Sequence, residues 1–588
     1  MNWNLTDIYP GYDSPEFIRD FESLSPMVEK MNNLAASLKS FVDIVALVRL
    51  LEEYTIILDR IGSYSNYVFS TDTANQDASK YMYLVETLDA ETSRTQVRMA
   101  AFLSKQAKAE SIDKLAEMYG IGHYAYRLTH MAEEYEHLLS EDEETMVSML
   151  SVTGSSAWAM MQDKLISNLT CEYTDPATGE VRTIGINECR NLAYDAEENV
   201  RRAAYEAELK AYPKITESTA AALNSIKGEV NLLSKLRKFE TPLAQTLFDS
   251  AMSAKTLEAM FQAIEKNIDH LREYLKTKAK YMNREKGLPF YDLFAPVGKT
   301  VDDEFTYDKA KSFVAENLGK FSTRMEAVAR QAFDNEWIDV FPKEGKVSGA
   351  FCGDIYAIKQ FRILLNYGNN LSDAITLAHE LGHGYHSMQV MEEGILNSNY
   401  PMPLAETAST FCETIVTQAA LESLPDEAKL RLVESSLQDS TQVVLDIYSR
   451  FLFERGVFES RQSHPLAVDE LCELMLAAQK TAYGDGLDHG LLHPYMWVIK
   501  PHYYSANVSY YNFPYAFGHL LANGLYKIYE EDPQAFGEKY DGFLRASGKM
   551  SIVDSCKLLG VNVEDVAFWD SAMDMIKANI AKFNGLIK

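Results

Sequence analysis

The sequence holds only six cysteines in 588 residues, and none of Cys171, Cys189, Cys352, Cys412, Cys472 and Cys556 falls in a C-x-x-C pair. That spacing excludes a disulfide framework and a cysteine zinc knot, and it makes Cys352 a buried structural thiol. Positive charge is also scarce. With 56 basic against 85 acidic residues the formal charge is −29, which repels a phosphate backbone and leaves no basic patch for counterion release, so nucleic acid is excluded as a partner. No stretch approaches the roughly 18 to 20 apolar residues that span a bilayer. The opening Met1 to Phe17 lacks a basic segment followed by an apolar one, and the chain reads as a cytoplasmic protein without a membrane partner. Low-complexity tracts, fixed-period repeats and long single-sign charge runs are missing too.

What is present is a large apolar fraction, 47% of residues, enough for more than one core. Stretches such as Phe41 to Leu58 repeat apolar residues at three- and four-residue spacing, which predicts long helices. Leu169 to Ile184 predicts a β-hairpin around Asp175 to Gly179, and Phe361 to Tyr367 a buried strand. The expected fold is therefore mainly α with a small sheet, divided into a helical N-terminal domain over 1–195 and a catalytic domain over 196–588. His123, His130 and His137 recur every seven residues, but two helical turns are about 10.5 Å, too far for neighbours to share one ion. They read as surface or core histidines.

The chemistry is concentrated in the segment from Asn370 to His386, with Ser372 the expected N-cap and Asp373 favourably placed against the helix dipole. His379 and His383 stand four residues apart, so on a helix both rings leave one face and can converge on one ion. Glu380 lies beside them, placed to accept a proton from water without entering the coordination sphere. A catalytic zinc needs a third protein ligand. The metzincin pattern would require Gly at 386 and His at 389, where this chain has His386 and Gln389, so that class is rejected. Pro403 to Glu413 supplies a carboxylate instead: Pro403 suits a first helical turn, Glu406 becomes the third ligand, and Glu413 is positioned either to accept a ligand ring N–H or to serve a structural role. His386 reads as a buried structural or substrate-lining residue.

At these residues the chain resembles the oligoendopeptidase F group of the thimet oligopeptidase family of zinc metallopeptidases. The motifs that carry the likeness are Gly349-Ala-Phe-Cys352, Leu364-Leu-Asn-Tyr367, Leu377-Ala-His-Glu-Leu-Gly-His-Gly384, Ala405-Glu-Thr-Ala-Ser409 and Tyr511-Asn-Phe-Pro-Tyr515, in family order, with Trp3-Asn-Leu-Thr-Asp-Ile-Tyr9 at the start. The resemblance implies two helical parts enclosing a deep substrate channel, and one zinc per chain on His379, His383 and Glu406 with Glu380 as general base. It further implies that Gly349, Ala350 and Phe351 form an edge strand pairing with extended peptide, a form of β-augmentation. It adds His502 and a nearby tyrosine as transition-state stabilisers; Tyr511 is the first choice and Tyr515 the next, while Tyr504 and Tyr510 read as packing or rim residues.

The expected activity is zinc-dependent hydrolysis of internal bonds in short unstructured peptides. A helical zinc carboxypeptidase would carry the same three ligands but release single C-terminal residues. A thermolysin-like protease of folded proteins fits less well with so much helical sequence beyond the zinc site, and a non-catalytic peptide-binding protein fits poorly with an intact Glu380. The oligomeric state is left open.

Overall fold

The computed structural model describes residues 2–298 and 304–587. In chain order, the elements that matter for function are α1 (Phe41–Thr71), the hairpin strands β1 (Thr170–Thr174) and β2 (Val181–Gly185), α2 (Ala254–Tyr281), the strands β3 (Ile338–Asp339), β4 (Phe351–Ile355) and β5 (Gln360–Leu364), then α3 (Leu371–Val390), α4 (Met402–Ala405), α5 (Thr407–Ser423) and α6 (Val566–Leu586). The fold is mainly helical with two small sheets, as expected. Among the described residues no helix is long and apolar enough to cross a membrane.

The chain divides into two compact units that differ from the expected cut between 195 and 196. The first comprises Met1–Leu138, Asp302–Ala419 and Ile528–Val561; the second comprises Leu139–Val301, Ala420–Lys527 and Asn562–Lys588. Each core is assembled from segments distant in sequence, which a linear reading of periodicity does not connect.

In the first unit, β5 is central, with β3 parallel on one side and β4 antiparallel on the other, Phe351 opposite Leu364. The N-terminal segment locks this sheet. Trp3 packs edge-on against Tyr67 of α1 and against Phe351, with ring centroids 5.2 and 6.3 Å apart. The fully buried Arg362 of β5 donates to the Asn4 carbonyl at 2.9 Å and pairs with Asp7 at 2.7 Å. A buried guanidinium left without these partners would cost several kcal/mol by the usual desolvation argument, about 3–5. The conspicuous N-terminal motif thus has a structural task. On the far side, Tyr67 and Ser63 of α1 donate to the Asp354 carbonyl at 2.9 and 3.2 Å, so α1 covers that end of β4.

The second unit contains the β1–β2 hairpin, in register from Thr170 opposite Gly185 to Thr174 opposite Val181. Helices α2 and α6 pack together, Tyr274 meeting Phe583 edge-on at 5.2 Å. Buried ion pairs stitch this unit: Lys227–Glu454 at 2.7 Å, Lys278–Glu434 at 2.6 Å and Arg201–Asp292 at 2.8 Å. Such pairs add little net stability over apolar residues, but removing one partner alone strands a buried charge and is costly.

Candidate metal centre

Helix α3 starts two residues earlier than the sequence suggests. Asn370, rather than Ser372, is the N-cap: its side chain accepts from Asp373 N at 3.0 Å, and the Asp373 carboxylate accepts from Gly368 N at 2.6 Å and Asn370 N at 3.4 Å. This reciprocal capping box satisfies donors that Ser372 would leave bare. Asp373 also lies in the first turn, as expected for the helix dipole.

The two glycines of the histidine motif are required by packing. A Cβ on Gly382 would lie 2.6 Å from the Ala408 carbonyl oxygen, and one on Gly384 would lie 2.7 Å from the Phe361 ring. Gly382 therefore lets the start of α5 press against α3, and Gly384 lets α3 lie flat on β5. On the helix's other side, Tyr385 donates to Asp541 at 2.6 Å.

That close approach delivers Glu406. It does not sit inside a helix but at the joint between α4 and α5, with φ −92° and ψ 1°. Ser409 donates to Glu406 Oε2 at 2.9 Å and aims the carboxylate, which gives the Ala405-to-Ser409 motif a physical purpose. Glu406 Oε2 lies 3.4 Å from both His379 Nε2 and His383 Nε2, and the two ring nitrogens are 3.1 Å apart. The three ligating atoms lie within 4.8 Å of one another. Behind them, Glu413 Oε1 is 3.0 Å from His379 Nδ1. Glu413 is thus the acceptor that fixes the ring's orientation and leaves Nε2 free to bind a metal.

Electrostatics follow from this crowding. Burial pushes the His379 ring pKa down, but the Glu413 hydrogen bond and the charges of Glu413, Glu380 and Glu406 outweigh it and raise it to about 9. Burial alone would raise Glu406, yet the histidines hold it at about 2. Glu380 is 5% exposed; burial raises its pKa while the histidine charges pull it down, and its Oε2 has no hydrogen-bond partner among the described residues. A buried carboxylate oxygen with no partner, beside two imidazoles and a carboxylate that converge, is a donor set suited to a divalent metal and a water.

His386 is 1% exposed, meets Ser547 Oγ at 2.8 Å and stacks on Tyr400 at 4.1 Å, so it is structural. Cys352, expected to be buried, lies half-buried in β4; desolvation of its thiol, then the Glu380 charge, raise its pKa well above the ordinary value. The expected edge strand over Gly349 to Phe351 needs correction. β4 begins at Phe351; Gly349 has φ +84°, and its carbonyl is taken by Asn366 Nδ2 at 2.8 Å. Ala350 connects the two. The left-handed backbone at Gly349 turns the chain into the strand rather than extending it.

The second unit holds His502, Tyr511 and Tyr515 together. Ring centroids are 4.9 Å apart for His502–Tyr511, 6.3 Å for His502–Tyr515 and 5.7 Å for Tyr511–Tyr515. Tyr503, Tyr504 and Tyr510 are buried, whereas Tyr511 and Tyr515 keep partial exposure. One positioning residue escaped the sequence reading. Glu454, buried against Lys227, accepts from Tyr510 N at 3.1 Å and Asn512 Nδ2 at 2.8 Å, gripping the chain on both sides of Tyr511. Tyr510 is held at φ +53°, in the left-handed region costly for an aromatic residue. Burial, then the charges of Arg450 and Lys500, lower the pKa of His502.

Comparison with known proteins follows the same line. Residues 191–575 match the model of peptidase family M3, and residues 105–170 match that of Oligopeptidase F. Over 596 aligned residues the chain is 23% identical to the oligopeptidase PepF of Bacillus subtilis, covering 100% of this chain and 87% of that protein. A solved structure from Chlamydophila abortus superposes with a TM-score of 0.84 at 19% identity, covering 100% and 98% of the two chains. The oligoendopeptidase-F of Enterococcus faecium superposes with a TM-score of 0.71 at 18% identity, covering 97% and 99%. With a family match spanning most of its length and a His-His-Glu group where the motif requires it, this chain belongs to peptidase family M3 and is a metallopeptidase.

Proposed function

We propose that this metallopeptidase is a cytoplasmic, zinc-dependent oligoendopeptidase that cuts internal bonds of short unstructured peptides. The observation that carries the reading is the convergence of His379 Nε2, His383 Nε2 and Glu406 Oε2 beside a buried, partnerless Glu380 oxygen. One zinc on these three residues would supply Lewis acidity and water acidified to near neutrality.

The remaining steps belong to the chain's own groups. Glu380 takes the proton of the attacking water and later returns it to the departing amine, a task suited to a carboxylate whose burial raises its pKa. His379 is held in one tautomer by Glu413, and Glu406 in one rotamer by Ser409. Tyr511 and His502 donate to the tetrahedral oxyanion, which carries charge only in the transition state; the sequence resemblance and their mutual packing support this role, with Tyr515 as the neighbouring support. Substrate backbone pairs along β4 from Phe351, while Gly349 and Ala350 set the turn that leads into it. The Asp354 end of that strand is already engaged by α1.

A peptide ladder tests the reading. Unfolded peptides share one cleavable sequence and carry lengthening polar extensions on both sides. Internal cleavage with kcat/KM falling on the longest members fits an oligoendopeptidase. Release of single C-terminal residues identifies a carboxypeptidase, and undiminished cleavage of the longest chains removes the length restriction.

A further inference from the structure

The second unit holds a partly open cavity of about 320 Å³ that the peptidase chemistry does not use. It is walled by the helix Glu198–Ala211, the turn Phe290–Asp292 and a helix that runs from Asp426 to Arg461 through a π turn at Gln442–Asp446. Gln438, Gln442, Asp446 and Arg450, spaced four residues apart, present one face of this helix to the cavity. π turns of this kind are frequent at functional sites.

The charges lining this cavity do not balance. Arg201 is answered by Asp292 at 2.8 Å and Arg190 by Glu208 at 3.2 Å. Arg450, 8% exposed, meets Asp446 through Nη2, while its Nε has no partner among the described residues. Lys500 lines the same space, and although its carbonyl accepts from Tyr503 N at 3.2 Å, its ammonium makes no ion pair or hydrogen bond among the described residues. Asp446 therefore contacts only Arg450 of the two cations, and its charge and that of Glu208, though they act on Lys500, do not offset the burial of that ammonium. Burial, reinforced by the Arg450 guanidinium, pushes the Lys500 ammonium down to about 7, the response of a cation that lacks its counter-charge. The space is too large for one or two waters and falls in the size range of small-molecule sites. Tyr291 and Phe294 supply an apolar wall.

We propose that this cavity binds a small organic carboxylate, its anionic end between Lys500 and the free Nε of Arg450 and its apolar body against Tyr291 and Phe294. The anion supplies the missing counter-charge, and the guanidinium donates a charge-assisted hydrogen bond. Lys500 precedes His502 by two residues, so occupancy bears on the segment assigned above to catalysis. The binding test itself involves neither metal nor turnover, and it stands or falls separately from the proposed peptidase mechanism.

The test is a fluorine NMR titration of the full-length protein with 4-fluorobenzoate. Saturable binding by the wild type is expected, weakened at least about tenfold in Lys500→Met, which removes a cation without stranding a partner. The same variant should melt no lower than wild type without ligand, because it relieves like-charge repulsion with Arg450; a lysine that merely supports the fold would instead lower the melting point. Arg450→Met strands Asp446 and is read only if its melting curve stays cooperative, when it too should weaken the probe. Absence of saturable binding, or equal affinity in wild type and Lys500→Met, overturns the proposal. Tighter displacement of the probe by inorganic phosphate than by unlabelled benzoate overturns the organic assignment.

Discussion

Glu413 Oε1 stands 3.0 Å from His379 Nδ1 while Glu406 Oε2 faces the opposite nitrogen of the same ring at 3.4 Å. One carboxylate thus orients the imidazole and another shares its metal-binding side. The arrangement explains why two glutamates seven residues apart, around the α4–α5 joint, both belong to the centre.

Glu413→Ala should retain the fold but lower zinc affinity about 10- to 100-fold, the usual cost of removing a ligand's orienting acceptor. Competition against a chromophoric chelator measures it. Affinity equal to wild type would show that the ring is oriented by packing alone.

Gly382→Ala places a methyl 2.6 Å from the Ala408 carbonyl and 2.7 Å from the Ser409 Cα. Both obstacles are backbone, so α5 must retreat. The expected loss is about 1–3 kcal/mol of stability, read by denaturant unfolding, together with weaker metal binding because Glu406 moves with the joint. An unchanged unfolding curve and full metal content would refute this packing argument.

Much of this centre was legible in the sequence because its geometry is local. His379 and His383 share a helix face wherever α3 exists, and Glu406 at the α4–α5 joint and Glu413 on α5 come from the next helices in the chain. The errors fell where a side chain competes for backbone groups. Asn370 wins the cap over Ser372 because Asp373 completes a reciprocal box, and Gly349 leaves the strand because Asn366 takes its carbonyl. Other features depend on contacts that no periodicity encodes. Glu454 reaches Tyr510 across 56 positions and Arg362 reaches Asn4 across 358; the same long-range assembly makes both units discontinuous.

Tyr511→Phe should lower kcat about 10²- to 10³-fold with little change in KM, since the hydroxyl is assigned to the transition state rather than to bound substrate. Steady-state kinetics on one internally quenched peptide measure both constants. Near-normal kcat would move the role to Tyr515, whose ring lies 5.7 Å from that of Tyr511.

Asp59 supplies a pH-dependent stability term. Burial, then the charge of Asp354, raise its pKa from 3.8 to about 7, although it accepts a hydrogen bond from Tyr356 N at 3.0 Å. The folded chain therefore binds more protons than the unfolded one between those values, and stability falls as pH rises through that window. Asp59→Asn keeps an acceptor for Tyr356 and removes the ionisation penalty. It should be about 1–3 kcal/mol more stable than wild type at pH 8 and no more stable at pH 4. Melting curves across pH check the sign, and a variant less stable at pH 8 would contradict it.

The most direct measurement of the central claim is the zinc content and peptide turnover of purified Glu380→Gln beside wild type. The proposed function assigns Glu380 to proton transfer and the metal to His379, His383 and Glu406. The variant should therefore keep one zinc per chain and a wild-type melting curve while losing turnover. Substantial remaining turnover, or loss of zinc from a folded Glu380→Gln protein, would contradict the assignment.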